Sequence, residues 1–389
     1  MSIEKLVELS RFYGSNPEYI LAGGGNTSWK DNDSLFVKAS GFSLAEATVD
    51  SFVEMDRKAL LGILLKTYPD STSGDPFASR RESVVLANMI AARKEREEEK
   101  RPSVEVLLHE IMPFSFVVHL HPAMVNGLTC SLWGEKAAVE IFGEKTLWIP
   151  SINPGYMLSV AVKKAQDEYY IKYKKQAAII FLQNHGVFVG DEKAEGVKEL
   201  YGEIMSQINA MIKWKPDFSD EKRDDAAALS GDLRQMSEVL RELSADAKTE
   251  DKAALNMVFF TGKEISEFLK NRVSFIPVSS AFTPDHIVYA GSDPLFIEDH
   301  SAEGIRRDWE AHVLKTGRNP KIIAVQGVGV FAVAKTEKAA NFALDLFKDS
   351  VKIAVYTENF GGPLFMTREK IEFINNWEVE RFRSDISTK

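Results

Sequence analysis

The chain has 389 residues, a formal net charge of −9 and 44% apolar residues. Its length favours two domains over one, and its acidic balance argues against nucleic acid or an anionic membrane as the main partner while leaving room for a local pocket for a small anion. No apolar run reaches the roughly 18 residues that a membrane span needs. The N-terminal MSIEKLVELSRF reads as the start of an amphipathic helix, not as a secretory signal. The single cysteine, Cys130, excludes an internal disulfide framework and suits a reducing, cytoplasmic compartment, where it is expected as a small buried side chain.

After the first helix, LAGGGNTSWKDNDSLFVKASGFSL predicts two short strands, around 27–30 and 34–39, joined by the turn-forming DNDS. FVEMDRKALLGILLKT has a helical pattern. SRRESVVLANMIAARKEREEEKR predicts another helix, whose closing run of charges is expected on a solvated face. In RPSVEVLLHEIM, Ser103 is a candidate N-cap. SFVVHLHP reads as a strand that stops at Pro122, and AAIIFLQNHGVFVGD as a β-hairpin around QNHG. The stretch 214–252 is charged and poor in β-formers, which places a junction there. The expected division is a first domain over 1–214, a partly helical linker over 215–251 and a second domain over 252–389. An internal echo supports a second domain of similar kind. AAIIFLQNHGVFVGDEKAEGV returns as PKIIAVQGVGVFAVAKTEKAAN, with Val328 at the position of His185.

Only seven histidines are present, and two of them, His119 and His121, are one residue apart in an apolar run. On a strand both rings would point to one face, about 6–7 Å apart. Two neutral imidazoles there begin a site for a divalent cation such as zinc, although an H-x-H pair also fits the wet face of an edge strand. His185 sits in a turn before Gly186, where a glycine lets the backbone reverse, and it could deliver a third imidazole. Three histidines leave one coordination position open, the pattern of a catalytic metal. Glu105 and His109 share a helix face four residues apart. Glu105 could move a proton beside a metal-bound substrate or could equally be an ordinary surface carboxylate. GGGNTSWK lacks the nucleotide fingerprints, yet its small residues expose backbone N–H groups that suit phosphate oxygens. Ser40, Gly41 and Ser103 offer further small positions beside it. His286 and His300 lie fourteen residues apart, and TPDH reads as a structural turn.

In order, the chain holds GGGNTS, K-A-S-G, R-P-S-V-E-x-x-x-H, H-L-H-P and N-H-G. This series resembles the class II (zinc-dependent) sugar-phosphate aldolase family, also called the aldolase/adducin family, over about residues 1–212. The GGGNTS form and the tail are similar to the aldolase portion of bifunctional rhamnulose-1-phosphate aldolase/alcohol dehydrogenase proteins. The dehydrogenase turn T-G-x-x-x-G-x-G is not found before Lys389, so the expectation is the aldolase portion without the redox half. The resemblance implies a three-layer α/β/α fold with a mainly antiparallel central sheet, here with a degenerate second domain that carries no metal ligands. It implies that His119, His121 and His185 hold Zn²⁺ or another divalent metal, with Glu105 as the acid/base. Asn26, Ser40, Gly41 and Ser103 would help to hold a substrate phosphate. Val104 stands where simpler members have a second small hydroxyl. The family's tyrosine proton donor has no motif here, and Tyr156 of NPGY is the one candidate. The implied reaction is cleavage of a ketose 1-phosphate, as in rhamnulose-1-phosphate or fuculose-1-phosphate aldolases, to dihydroxyacetone phosphate and an aldehyde through a zinc-stabilised enediolate. The same scaffold also hosts sugar-phosphate epimerases, decarboxylases and non-catalytic adducin-like binding proteins. A homo-oligomer, often a tetramer, is implied as well.

Overall fold

A computed structural model describes residues 2–66, 68, 76–94, 99–225, 229–244 and 255–377. The charge run expected on a solvated helix face lies partly outside these residues. The strands are β1 (Asn26–Lys30), β2 (Ser34–Lys38), β3 (Phe52–Asp56), β4 (Phe116–Leu120), β5 (Thr146–Ile149), β6 (Ile179–Leu182), β7 (Gly186–Asp191), β8 (Lys222–Asp225), β9 (Asn256–Thr261), β10 (Leu295–Ile297), β11 (Ile322–Val325) and β12 (Gly329–Ala334). The α-helices are α1 (Ser2–Gly14), α2 (Arg57–Leu65), α3 (Pro76–Ala91), α4 (Val106–Ile111), α5 (Ala123–Thr129), α6 (Gly134–Phe142), α7 (Tyr156–Tyr173), α8 (Ala194–Met211), α9 (Gly231–Ser244), α10 (Lys263–Phe268), α11 (Arg272–Phe275), α12 (Ala302–Thr316), α13 (Glu337–Thr357) and α14 (Arg368–Asn376). Among the described residues, no helix is long and apolar enough to cross a membrane.

The first sheet runs β3-β2-β1-β4-β7-β6-β5. Every neighbouring pair is antiparallel except β5 with β6. Alternation along β4 explains the layers. Phe116, Val118 and Leu120 face one apolar cluster, which also holds residues of α1, α5 and α8. Val117 faces another, with Leu108 of α4 and Leu158 and Val162 of α7. Helices thus cover both faces of the sheet. FVEMD, expected to open a helix, is instead β3, because Phe52, Val53 and Met55 are buried beside β2. The helix starts only at Arg57, behind the N-cap Asp56.

The second sheet runs β10-β11-β12-β9-β8, again with one parallel pair, β10 with β11. It repeats the order and pairing sense of β5-β6-β7-β4-β1. The echoed sequence keeps its register: Leu182 pairs with Gly186 and Ile180 with Phe188 in the first sheet, and Val325 with Gly329 and Ile323 with Phe331 in the second. Even the left-handed turn residue recurs, as Asn184 at φ 58° and Gly327 at φ 66°. Within the stretch read as a linker, β8 pairs with β9, and Met236 and Leu240 of α9 join the apolar cluster on the outer face of the second sheet. The two sheets share one core. Val118, Phe181 and Val187 of the first belong to the same buried cluster as Phe260, Ala324 and Val330 of the second, with α13 among them.

Tyr201 of α8 ties this core to the middle of the first sheet. Its hydroxyl lies 3.2 Å from the carbonyl oxygens of both Val118 and Val187. Burial raises the phenol well above its usual range, so it remains a donor. Tyr201→Phe should destabilise the protein by about 1–3 kcal/mol, because it removes the donor from two buried carbonyls. The check is the denaturation midpoint of the full chain, and an unchanged midpoint would show that these bonds contribute nothing.

Candidate metal centre and its cleft

His119 lies near the end of β4, across from Asn26 of β1 and Phe188 of β7. Its ring stacks on Phe188 with centroids 4.0 Å apart, and its Nδ1 donates to the carbonyl of Val187 at 3.1 Å. That bond leaves Nε2 as the free lone pair. His121 does not share a strand with it. Pairing ends at Leu120, so the ring of His121 is released from the pleat. Its Nε2 comes to 2.8 Å from Nε2 of His119, far closer than the roughly 6–7 Å expected for two residues on one strand face. His185 arrives from the β6–β7 turn and puts its Nε2 3.3 Å from that of His119. The turn reverses at Asn184, not at Gly186. Gly186 is needed for another reason: a Cβ there would lie 2.5 Å from the carbonyl of Leu120 and 2.6 Å from the ring of His121.

The three histidines form a group whose nitrogens could hold one ion, with each ligand atom within 4.8 Å of the others. Burial, reinforced by His121, holds His119 well below the usual histidine range. Burial likewise lowers His185 to about 3. Both are therefore neutral at neutral pH, which is the state that ligates a cation.

Glu105 stands at the N-cap position of α4 without capping it. Its Oε1 lies 3.4 Å from Nε2 of both His119 and His185, and it is buried with no hydrogen-bond partner among the described residues. A buried carboxylate oxygen aimed at two imidazole nitrogens fits a centre that brings positive charge or a proton to it. The other oxygen is fixed by a directed chain. Ser28 Oγ donates to His109 Nδ1 at 2.6 Å, His109 Nε2 donates to Asn26 Oδ1, and Asn26 Nδ2 donates to Glu105 Oε2 at 2.7 Å. Burial lowers His109 to about 3, so its ring is neutral and carries the single hydrogen this order requires. His109, four residues after Glu105, is thus the orienting link. Ser103 is not the helix N-cap either; its Oγ accepts from the backbone N–H of Glu105 at 3.3 Å.

His121, His185 and Glu105 open onto a cleft also lined by Asn26, Lys38, Ser40, Gly41 and Ser103. The K-A-S-G segment is pinned to the Arg101–Ser103 segment by Ser40 N donating to the carbonyl of Arg101 at 2.8 Å and by the Ala39–Pro102 bridge. Sequence reasoning misses two side chains here. Lys38 is buried, with its ammonium donating to the carbonyl of Phe42 at 2.9 Å, and it places a cation on the wall of the cleft. Its place at the head of K-A-S-G is the one signal for it in the sequence. The second is Asp285 of TPDH, whose Oδ2 lies 2.6 Å from Nδ1 of His121. That turn is therefore not only structural. Tyr156 is not among the cleft residues; its hydroxyl donates to the carbonyl of Lys66 at 2.8 Å. Cys130 is buried and in no disulfide.

The model of the Class II Aldolase and Adducin N-terminal domain matches residues 4–205. The uncharacterized oxidoreductase YuxG of Bacillus subtilis (strain 168) is 20% identical over 98% of this chain, which spans 58% of that relative's length. Two solved structures are similar. The N-terminal class II aldolase domain of a conserved protein from Thermoplasma acidophilum is 25% identical, with 54% of this chain and 93% of that one covered and a TM-score of 0.45. L-fuculose-1-phosphate aldolase from Thermus thermophilus is 17% identical, with 53% and 92% covered and a TM-score of 0.33.

The C-terminus of α4, the helix behind Glu105, is closed by Lys30. Its ammonium donates to the carbonyls of His109 at 2.5 Å, Glu110 at 3.3 Å and Met112. Burial pushes this lysine down from 10.5 to about 7, with Glu110 opposing the shift. Between those values the unfolded chain binds more protons at Lys30 than the folded one, so stability gains as pH rises through that window. Lys30→Met should flatten the rise. The check is the denaturation midpoint of both proteins across the window; parallel profiles would show that Lys30 titrates normally.

Proposed function

This chain belongs to the class II aldolase and adducin N-terminal domain family, and from that premise we propose that it is a divalent-metal-dependent aldolase acting on a sugar phosphate. The reaction is reversible cleavage of a ketose 1-phosphate to dihydroxyacetone phosphate and an aldehyde, an activity like that of rhamnulose-1-phosphate or fuculose-1-phosphate aldolases. In this reading residues 1–214 carry the chemistry, 215–251 join, and 252–389 form a companion unit in a homo-oligomer. The likeness to the aldolase portion of bifunctional rhamnulose-1-phosphate aldolase proteins belongs to the same proposal.

One observation carries the reading: the Nε2 atoms of His119, His121 and His185 converge, and Oε1 of Glu105, which has no hydrogen-bond partner among the described residues, faces two of them at 3.4 Å. Zn²⁺ or a similar cation, when bound, would act as a Lewis acid toward a substrate carbonyl and disperse charge on the carbon beside it. Glu105 takes and returns the proton at that carbon. Its Oε2 is anchored by Asn26, so Oε1 is the oxygen left to act. Ser40, Gly41, Ser103 and the ammonium of Lys38 receive the phosphate on the cleft wall. Asn26 gives one amide hydrogen to Glu105 and keeps a second for the ligand. Binding the remote phosphate holds the reacting carbon against Glu105 and lowers the entropy cost of reaction.

Purified protein should contain stoichiometric divalent metal, and His119→Ala or His121→Ala should lose it; equal metal content in variant and wild type would refute the centre. Glu105→Gln should keep the metal while turnover falls about 10²–10⁴-fold, read in a screen of phosphorylated ketoses. Turnover of a pentulose 5-phosphate without cleavage would replace the aldolase reading with an epimerase.

A further inference from the structure

His119 and His121 solve the same problem in different ways. Each imidazole needs a hydrogen-bond acceptor at Nδ1 to fix its tautomer and aim. His119, inside β4, uses the carbonyl of Val187 on the adjoining strand. His121 lies one residue beyond the last pair of the ladder, Leu120 with Val187. Its Nδ1 meets Asp285 Oδ2 at 2.6 Å instead. A carboxylate only accepts, so His121 carries its hydrogen on Nδ1 and turns the Nε2 lone pair toward His119 and His185. The acceptor comes from a residue 164 positions later in the chain, in the segment between β9 and β10 of the second sheet.

The surroundings of Asp285 are built to hold it there. It precedes the short helical segment His286–Ala290, yet its side chain makes no capping bond to that segment. His286 Nδ1 accepts from the backbone N–H of Thr283 and lies 2.9 Å from the hydroxyl of the same residue, and its Nε2 donates to Asp349 Oδ2 of α13 at 3.2 Å. Thr283, Asp285, His286 and Asp349 are all buried. On the other side, a Cβ on Gly24 would lie 2.6 Å from Asp285 Oδ2. The second glycine of GGGNTS thus makes room for this carboxylate. A second tie runs to the turn of His185, where Asn184 Nδ2 donates to the carbonyl of Leu364 at 2.7 Å.

We propose that Asp285 is a positioning residue of the metal centre, so that the C-terminal unit completes the site instead of only packing against it. The inference rests on the metal-dependent reading above. It adds that the three-histidine centre of the first unit reaches full affinity only with a carboxylate from the second.

The test uses the full chain and the variants Asp285→Asn and Gly24→Ala, with Zn²⁺ affinity from chelator competition and the absorption spectrum of the Co²⁺-loaded protein. Both variants should bind Zn²⁺ about 10–100-fold more weakly, with an altered Co²⁺ ligand-field spectrum and a metal-free denaturation midpoint close to wild type. Wild-type affinity and spectrum in Asp285→Asn would overturn the proposal. Should Asp285→Asn fail to fold, Gly24→Ala decides by the same readouts. A wild-type chain that takes up neither Zn²⁺ nor Co²⁺ would overturn the proposed function and this inference together, whereas normal uptake with an unaffected Asp285→Asn would overturn this inference alone.

Discussion

Three imidazoles face one another with Nε2 atoms 2.8 and 3.3 Å apart, and a carboxylate oxygen that has no hydrogen-bond partner among the described residues faces two of them. Such a cluster is electron-rich and largely buried, and among the described residues nothing donates to Glu105 Oε1. Burial penalises the obvious remedy of protonating the rings, as the low values of His119 and His185 record. The arrangement is therefore tolerable with a cation or a shared proton at its centre. The outer atoms of the site follow from that constraint. Val187, Asp285 and the Ser28–His109–Asn26 chain each bind the far side of a ring or carboxylate and leave its near side free.

The sheet supplies the means of convergence. Rings on alternate residues of one strand lie on the same face, with their backbones about 7 Å apart. β4 stops at Leu120 so that His121 can fold back, while the hairpin beside it swings His185 over from the next pair of strands. Pro122 makes the stop obligatory, since it has no N–H to offer a ladder. The histidine cluster sits where the ladder between β4 and β7 runs out, and there His121 meets Asp285 in place of a strand partner.

The two units share a strand order and a hairpin register, but they have diverged in what they contribute. The second has Val328 in place of the turn histidine and Gly327 in place of Asn184. Its contribution runs outward instead, through Asp285 to His121 and through Leu364 to the turn that carries His185. One apolar cluster spans both sheets, which places these two polar ties with the accuracy a hydrogen bond requires.

Much of this was legible from residue order. The hairpin around QNHG, the strand ending before Pro122, the burial of Cys130 and the internal echo all follow from local patterns with periods of two or from turn chemistry, and local sterics enforce these whatever lies beyond. The three histidines and Glu105 were readable as candidates because H-x-H, N-H-G and E-x-x-x-H are unusual in a chain with seven histidines. FVEMD misled, since its apolar spacing fits helix and strand alike until β2 lies beside it. His109, Lys38 and above all Asp285 were invisible in their roles. A carboxylate in a turn 164 residues from its histidine leaves no periodic trace, because the bond depends on how two separate sheets pack on a common core. The sequence alone determined which side chains could ligate or shuttle a proton, whereas only the tertiary structure decided which of them meet and which acceptor fixes each ring, because hydrogen bonds act over about 3 Å and the chain order carries no such distances.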